Sequence, residues 1–126
     1  MAEIVDLVRT AAAAGVEKFA HNPIAFDVSS RLPFADAFLI LSGDNPRQVG
    51  AISDEVAEQL RAHGHDLHRS EGRDDLRWVV LDFGALVVHV FHDEDRKYYD
   101  LERLWRDCPR IDISDVTGQL PQVGEE

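Results

Sequence analysis

The sequence predicts an α/β domain: a mixed β-sheet with flanking helices, in the order α-β-β-α-β-β-β-α. Three observations carry this. Two stretches, residues 3–20 and 46–62, repeat apolar residues at helical spacing. Around them lie short runs rich in β-branched and aromatic residues. Two of those runs are joined by Gly84-Ala85, the Gly-X form of a two-residue hairpin turn.

The elements follow in order. Ile4, Leu7, Val8, Ala11, Ala12, Gly15 and Phe19 recur at spacings of three and four, and Asn22-Pro23 is expected to stop that helix. Ile24-Ala25-Phe26-Asp27-Val28 alternates as a strand does. Ser29 to Pro33 reads as a loop, and Ala37-Phe38-Leu39-Ile40-Leu41 as a short buried strand. Asn45 is an N-cap, Pro46 suits the first helical position, and Gln48 stands where a capping-box partner belongs. Val49, Ile52, Val56 and Leu60 then form one stripe, and Gly64 ends the helix. A short strand is expected at 67–70 and a polar loop at 71–75. The hairpin strands are Trp78–Phe83 and Leu86–Phe91. A last helix is predicted from Asp93, which is expected to cap it, to about Trp105, with Tyr98, Leu101, Leu104 and Trp105 as its apolar stripe. Residues 1–108 are expected to form one domain, and 109–126 a loose acidic tail.

Composition excludes several classes. The chain has 126 residues, with 13 Lys+Arg against 24 Asp+Glu, a formal charge of −11. Such a surface repels phosphate backbones, so nucleic acid is not expected as the main partner; a basic protein is the better match. Cys108 is the one cysteine, which rules out an internal disulfide or a cysteine-rich zinc site. No apolar run reaches the length of a membrane span. The acidic start, Met1 to Asp6, does not suit a signal peptide, so a cytoplasmic location is expected.

Taken literally, the hairpin turn places Trp78, Val80, Asp82, Val87, His89 and Phe91 on one face, and Val79, Leu81, Val88 and Val90 on the other. The second set is aliphatic and suits a covered core. The first mixes large apolar groups with a carboxylate and an imidazole, which suits an open or half-open face used by a partner. The alternative is a closed core in which Asp82 and His89 satisfy each other.

No catalytic or metal constellation is expected. His89 and His92 are three apart, on opposite faces of a strand, and His63, His65 and His68 straddle Gly64 in a polar turn. Ser42-Gly43-Asp44 lacks the second glycine and lysine of a P-loop and reads as the approach to a helix cap. There is no Gly-Ser followed by an Asp-x-Asp pair, which a metal-dependent nucleotidyltransferase would need. Cys108 lies far in sequence from a convincing base.

Several segments nonetheless resemble the Iojap-like ribosomal silencing factor family. They are Asp27-Val28-Ser29, Asp36 through Gly43, Arg47 through Asp54, Glu71-Gly72, Trp78 through Gly84, Val87 through Phe91, and Arg96 through Trp105. They stand in order across residues 5–106. The resemblance implies a nucleotidyltransferase-like fold without the catalytic carboxylates, no enzymatic activity and no cofactor. It implies repression of translation under nutrient limitation, by docking on large-subunit ribosomal protein fourteen so that the small subunit cannot join. It assigns docking to Trp78, Asp82, His89, Tyr99 and Leu101, although the last two could instead pack the final helix; Trp105 reads as core. It also implies a possible homodimer of the free protein. One position departs from the pattern: Ala85 stands where the family usually has an acidic residue. The alternatives are a metal-dependent nucleotidyltransferase-like enzyme and an adaptor for large-subunit assembly.

Overall fold

The computed structural model describes residues 2–117. Its strands are β1 (His21–Asp27), β2 (Ala37–Gly43), β3 (Arg69–Glu71), β4 (Trp78–Asp82) and β5 (Leu86–His92). The helices are α1 (Ala2–Glu17), α2 (Pro46–Ala62), α3 (Asp93–Tyr99), α4 (Leu101–Trp105) and α5 (Ser114–Thr117). The five strands form one mixed sheet in the order β1-β2-β5-β4-β3. Only β2 and β5 run parallel; the other pairs are antiparallel.

The hairpin register is the one the Gly84-Ala85 turn dictates: Trp78 faces Phe91, Val80 faces His89, and Asp82 faces Val87. Gly84 has φ +92°, a conformation that a side chain would strain. The start of α2 is also as read. Asn45 Oδ1 accepts from the Gln48 N–H at 2.9 Å, while Gln48 Oε1 accepts from the Asp44 N–H at 2.6 Å.

Four expectations are corrected. The first helix ends at Glu17, before Asn22-Pro23. Phe19 takes φ 65°, and the N–H groups of Phe19 and Ala20 close back on Val16 and Gly15, a Schellman-type stop without glycine. Pro23 instead lies in the edge strand β1, where the register shifts between His21 and Ile24; an edge bulge has no ladder bond for proline to break. The last helix is two helices, broken at Asp100, which adopts φ 50°, ψ 51°. That left-handed residue turns the chain, so Tyr98 and Leu104 do not share a buried stripe with Leu101 and Trp105. They are 81% and 60% exposed. His92, rather than Asp93, caps α3: its Nδ1 accepts from the Glu94 N–H. Finally, the chain is not loose from residue 109. The Asp27 N–H donates to the Pro109 carbonyl, the Ile111 N–H donates to the Ala25 carbonyl, and Ile113 is buried in the core. The rest of the expected tail, residues 118–126, lies outside the described residues.

The core has two parts, one on each face of the sheet. Beneath α1 and α2 lie Leu39, Leu41, Val79, Leu81, Val88 and Val90, all fully buried. On the opposite face, Phe26, Phe38, Ile40, Val87 and Phe91 pack with Trp105 and Cys108. α4 and the residues just after it cover that second face only in part, since Trp78, Val80 and Asp82 on β4 stay half-buried.

Candidate functional site: an aromatic face beside the hairpin

Alternation along β4 and β5 brings Trp78, His89 and Phe91 to the same face. The Trp78 ring stacks on Phe91 at 4.8 Å and 28°. Tyr99, from the end of α3, lies over the same indole at 4.8 Å and 45°. Tyr98 meets Tyr99 edge-on at 5.0 Å. The result is a graded aromatic patch. Phe91 is fully buried, Trp78 is half-buried, Tyr99 is 50% exposed, and Tyr98 projects outward.

His89 sits deeper. It is 6% exposed, with its ring 4.8 Å from Phe38, which in turn packs edge-on against Trp105. The Trp78 indole N–H donates to His89 Nδ1 at 3.2 Å. Indole nitrogen is only a donor, so Nδ1 is the unprotonated nitrogen and Nε2 carries the hydrogen. Burial drives the imidazole pKa down from its ordinary value to about 4, which keeps the ring neutral. His89 therefore positions Trp78 from below.

Asp82 has a separate task. Its Oδ1 accepts from the Gly84 N–H at 2.8 Å, closing the hairpin turn. Its partner is thus the turn backbone, while that of His89 is the indole, so the two do not satisfy each other. Leu101 is half-buried and packs into the second core cluster. Trp105 is 9% exposed, with the Arg31 guanidinium 5.1 Å above its ring.

The structure thus gathers Trp78 and Tyr99 into one patch, seats His89 beneath them, and leaves Asp82 at the hairpin end. Tyr98 and Leu104 extend the exposed apolar surface next to Tyr99. The sequence pattern puts both on one apolar stripe with Leu101 and Trp105. The signal that could have separated them is Asp100, a residue type that tolerates the left-handed conformation and so can break a helical period. Among the described residues, no helix is long and apolar enough to cross a membrane.

Comparison with known proteins gives a consistent answer. The family described as "Ribosomal silencing factor during starvation" matches residues 1–125. The ribosomal silencing factor of Bacillus subtilis is 42% identical over 107 residues, spanning 85% of this chain and 91% of that protein. A crystal structure of a protein from Chromobacterium violaceum superposes with a TM-score of 0.78 at 30% identity, over 96% of this chain and 92% of that one. More distantly, a mouse protein named "Mitochondrial assembly of ribosomal large subunit protein 1" is 29% identical over 110 residues, which span 46% of its length.

Proposed function

The chain belongs to the ribosomal silencing factor family, and from that premise we propose that it represses translation by docking on the large ribosomal subunit, against large-subunit ribosomal protein fourteen. Seated there, it keeps the small subunit from joining. The single observation that supports this reading best is the graded aromatic patch of Trp78, Tyr99 and Tyr98. Large aromatic groups that are partly exposed yet held by stacking are the residues that dominate protein interfaces. The formal charge of −11 suits a basic ribosomal protein and disfavours RNA. Blocking by occupancy needs bulk and a good fit, so the chain acts as a regulator without catalysis, in the cytoplasm with the ribosomes. Trp78, Asp82, Tyr99 and Leu101 contribute to docking, and His89 contributes through Trp78.

The test mixes purified small and large subunits with excess protein and reads the profile on a density gradient. A shift from joined ribosomes to free subunits is expected, and an unshifted profile overturns the proposal. Crosslinking then names the contacted protein. A second reading, an adaptor for large-subunit assembly, is favoured by the name of the mouse relative. Depletion separates the two: accumulation of incomplete large subunits supports assembly, whereas excess joined ribosomes during starvation supports silencing. A homodimer of the free protein that buries the same aromatic patch would compete with docking.

A further inference from the structure

Outside the aromatic face, three side chains from distant parts of the sequence meet beyond the C-terminal ends of β2 and β5. His21 opens β1, Asp44 follows β2, and Asp93 follows β5. The imidazole lies between the two carboxylates: His21 Nδ1 is 3.1 Å from Asp93 Oδ2, and Nε2 is 3.3 Å from Asp44 Oδ1. One ligand atom from each residue falls within 4.8 Å of the other two. We propose that His21, Asp44 and Asp93 form a binding site for one divalent transition-metal ion of the zinc type.

Location supports this. β2 and β5 are the parallel neighbours of the sheet, and both carboxylates stand just past their C-terminal ends. From there the chain leaves toward opposite faces: α2 joins the core cluster beneath α1, whereas Leu101 and Trp105 join the other. That divergence opens a crevice, the usual ligand position in open α/β sheets. A cleft of about 760 Å³ opens on the α3 side of this crevice, lined by His21, Ser42, Asp93, Arg96 and Lys97 among others, with Asp44 outside it.

The donor set selects the ion. His21 Nε2 and Asp44 Oδ1 form a nitrogen–oxygen pair suited to a zinc-like ion, with water completing its shell, while Asp93 on the opposite ring nitrogen Nδ1 holds the imidazole in place as an outer carboxylate. Magnesium prefers an all-oxygen octahedron. Two ligand atoms on a tetrahedral ion with bonds near 2.1 Å sit about 3.4 Å apart; the His21 Nε2 to Asp44 Oδ1 separation is 3.3 Å. Charge agrees too. Among the described residues, His21 is the one basic group within ion-pair distance of either carboxylate. The nearby Arg96 guanidinium is taken by Glu102, Ser42 Oγ and the His21 carbonyl. A bound ion would fasten the edge strand β1 to the starts of α2 and α3.

The test is equilibrium dialysis of the full chain against Zn²⁺ after chelator treatment, with Mg²⁺ in parallel. One saturable Zn²⁺ per chain is expected, with Mg²⁺ at least about tenfold weaker. Asp44→Asn and His21→Gln should each weaken Zn²⁺ binding by more than about tenfold, as loss of a ligand or its support does. Asp44 is exposed, so its variant keeps the fold even if the His21 variant does not. His63→Gln with His65→Gln is the control for adventitious binding by surface histidines and should leave binding unchanged. No saturable Zn²⁺ overturns the site, and so does binding that falls in the control but not in Asp44→Asn.

Discussion

Neighbouring residues on β2 look into different surroundings. Leu39 and Leu41 point beneath α1 and α2, into a fully buried aliphatic layer. Phe38 and Ile40 point the other way, into a layer of aromatic rings roofed by a five-residue helix and the few residues after it. The first face is sealed by two helices of 16 and 17 residues. The second is sealed over β2 and β5 but open over β4. The contrast separates two tasks. A face closed by long amphipathic helices supplies most of the buried apolar area, and hence most of the stability. The other face is then free to carry a neutral histidine, a carboxylate and half-exposed aromatic rings without endangering the fold.

Breaking the sealed face should have the largest effect. Leu39→Ala removes a fully buried side chain and should cost about 2–5 kcal/mol in chemical denaturation, with docking of the remaining folded protein unchanged. On the open face the order reverses. Trp78→Ala should weaken binding to isolated large subunits by about 2 kcal/mol, roughly thirtyfold, and lower stability by less than Leu39→Ala does. Equal stability losses from the two variants would erase the division of labour.

A pH experiment sharpens the comparison. Folded His89 has its pKa pushed down to about 4, so between that value and the ordinary 6.5 the unfolded chain holds a proton that the folded chain does not. Stability should therefore fall as pH drops through this window, by up to about 1.4 kcal/mol per unit from this group. The loss ends once the folded form also protonates. Asp27 and Asp112 are held below their ordinary 3.8 by bonds from Ser29 and Ser114, so their contributions are lost only at still lower pH. The difference between the native chain and His89→Gln isolates the histidine, and equal pH slopes would remove His89 from this account. Protonation of the folded form also ends acceptance from the Trp78 indole, so tryptophan fluorescence should change near pH 4, at the bottom of this window. The smallest effect belongs to the hairpin corner. Asp82→Ala loses the bond from the Gly84 N–H and should cost about 1 kcal/mol by thermal unfolding.

Much of this arrangement was legible beforehand. The Gly84-Ala85 turn fixed the β4–β5 register because the side-chain period of a strand is two, so one correct turn orients every residue after it. Asn45, Pro46 and Gln48 marked the start of α2 because capping is local chemistry. The glycine of Glu71-Gly72 has a reason that only the structure supplies. Gly72 has φ +89°, and a Cβ there would lie 1.9 Å from the Trp78 carbonyl oxygen. It lets the loop pass against the backbone of the residue that anchors the aromatic patch. The break at Asp100 was hidden because Tyr98, Leu101, Leu104 and Trp105 also fit one unbroken period. The meeting of His21, Asp44 and Asp93 was hidden because no spacing rule links the ends of three strands.

The sequence by itself determined the order of the elements through β5, the hairpin pairing, and which hairpin residues share each face of the sheet. These follow from turn chemistry, capping and periodicity, which act over a few residues. The tertiary structure alone decided which segment lies over each face: that Trp105 closes over Phe38, that Tyr99 returns to Trp78, and that Ile111 reaches the backbone of Ala25. An alternating strand states that one side must be apolar. It does not state how far along the chain its cover will come from, because that is settled by the competition of all apolar surfaces for burial at once.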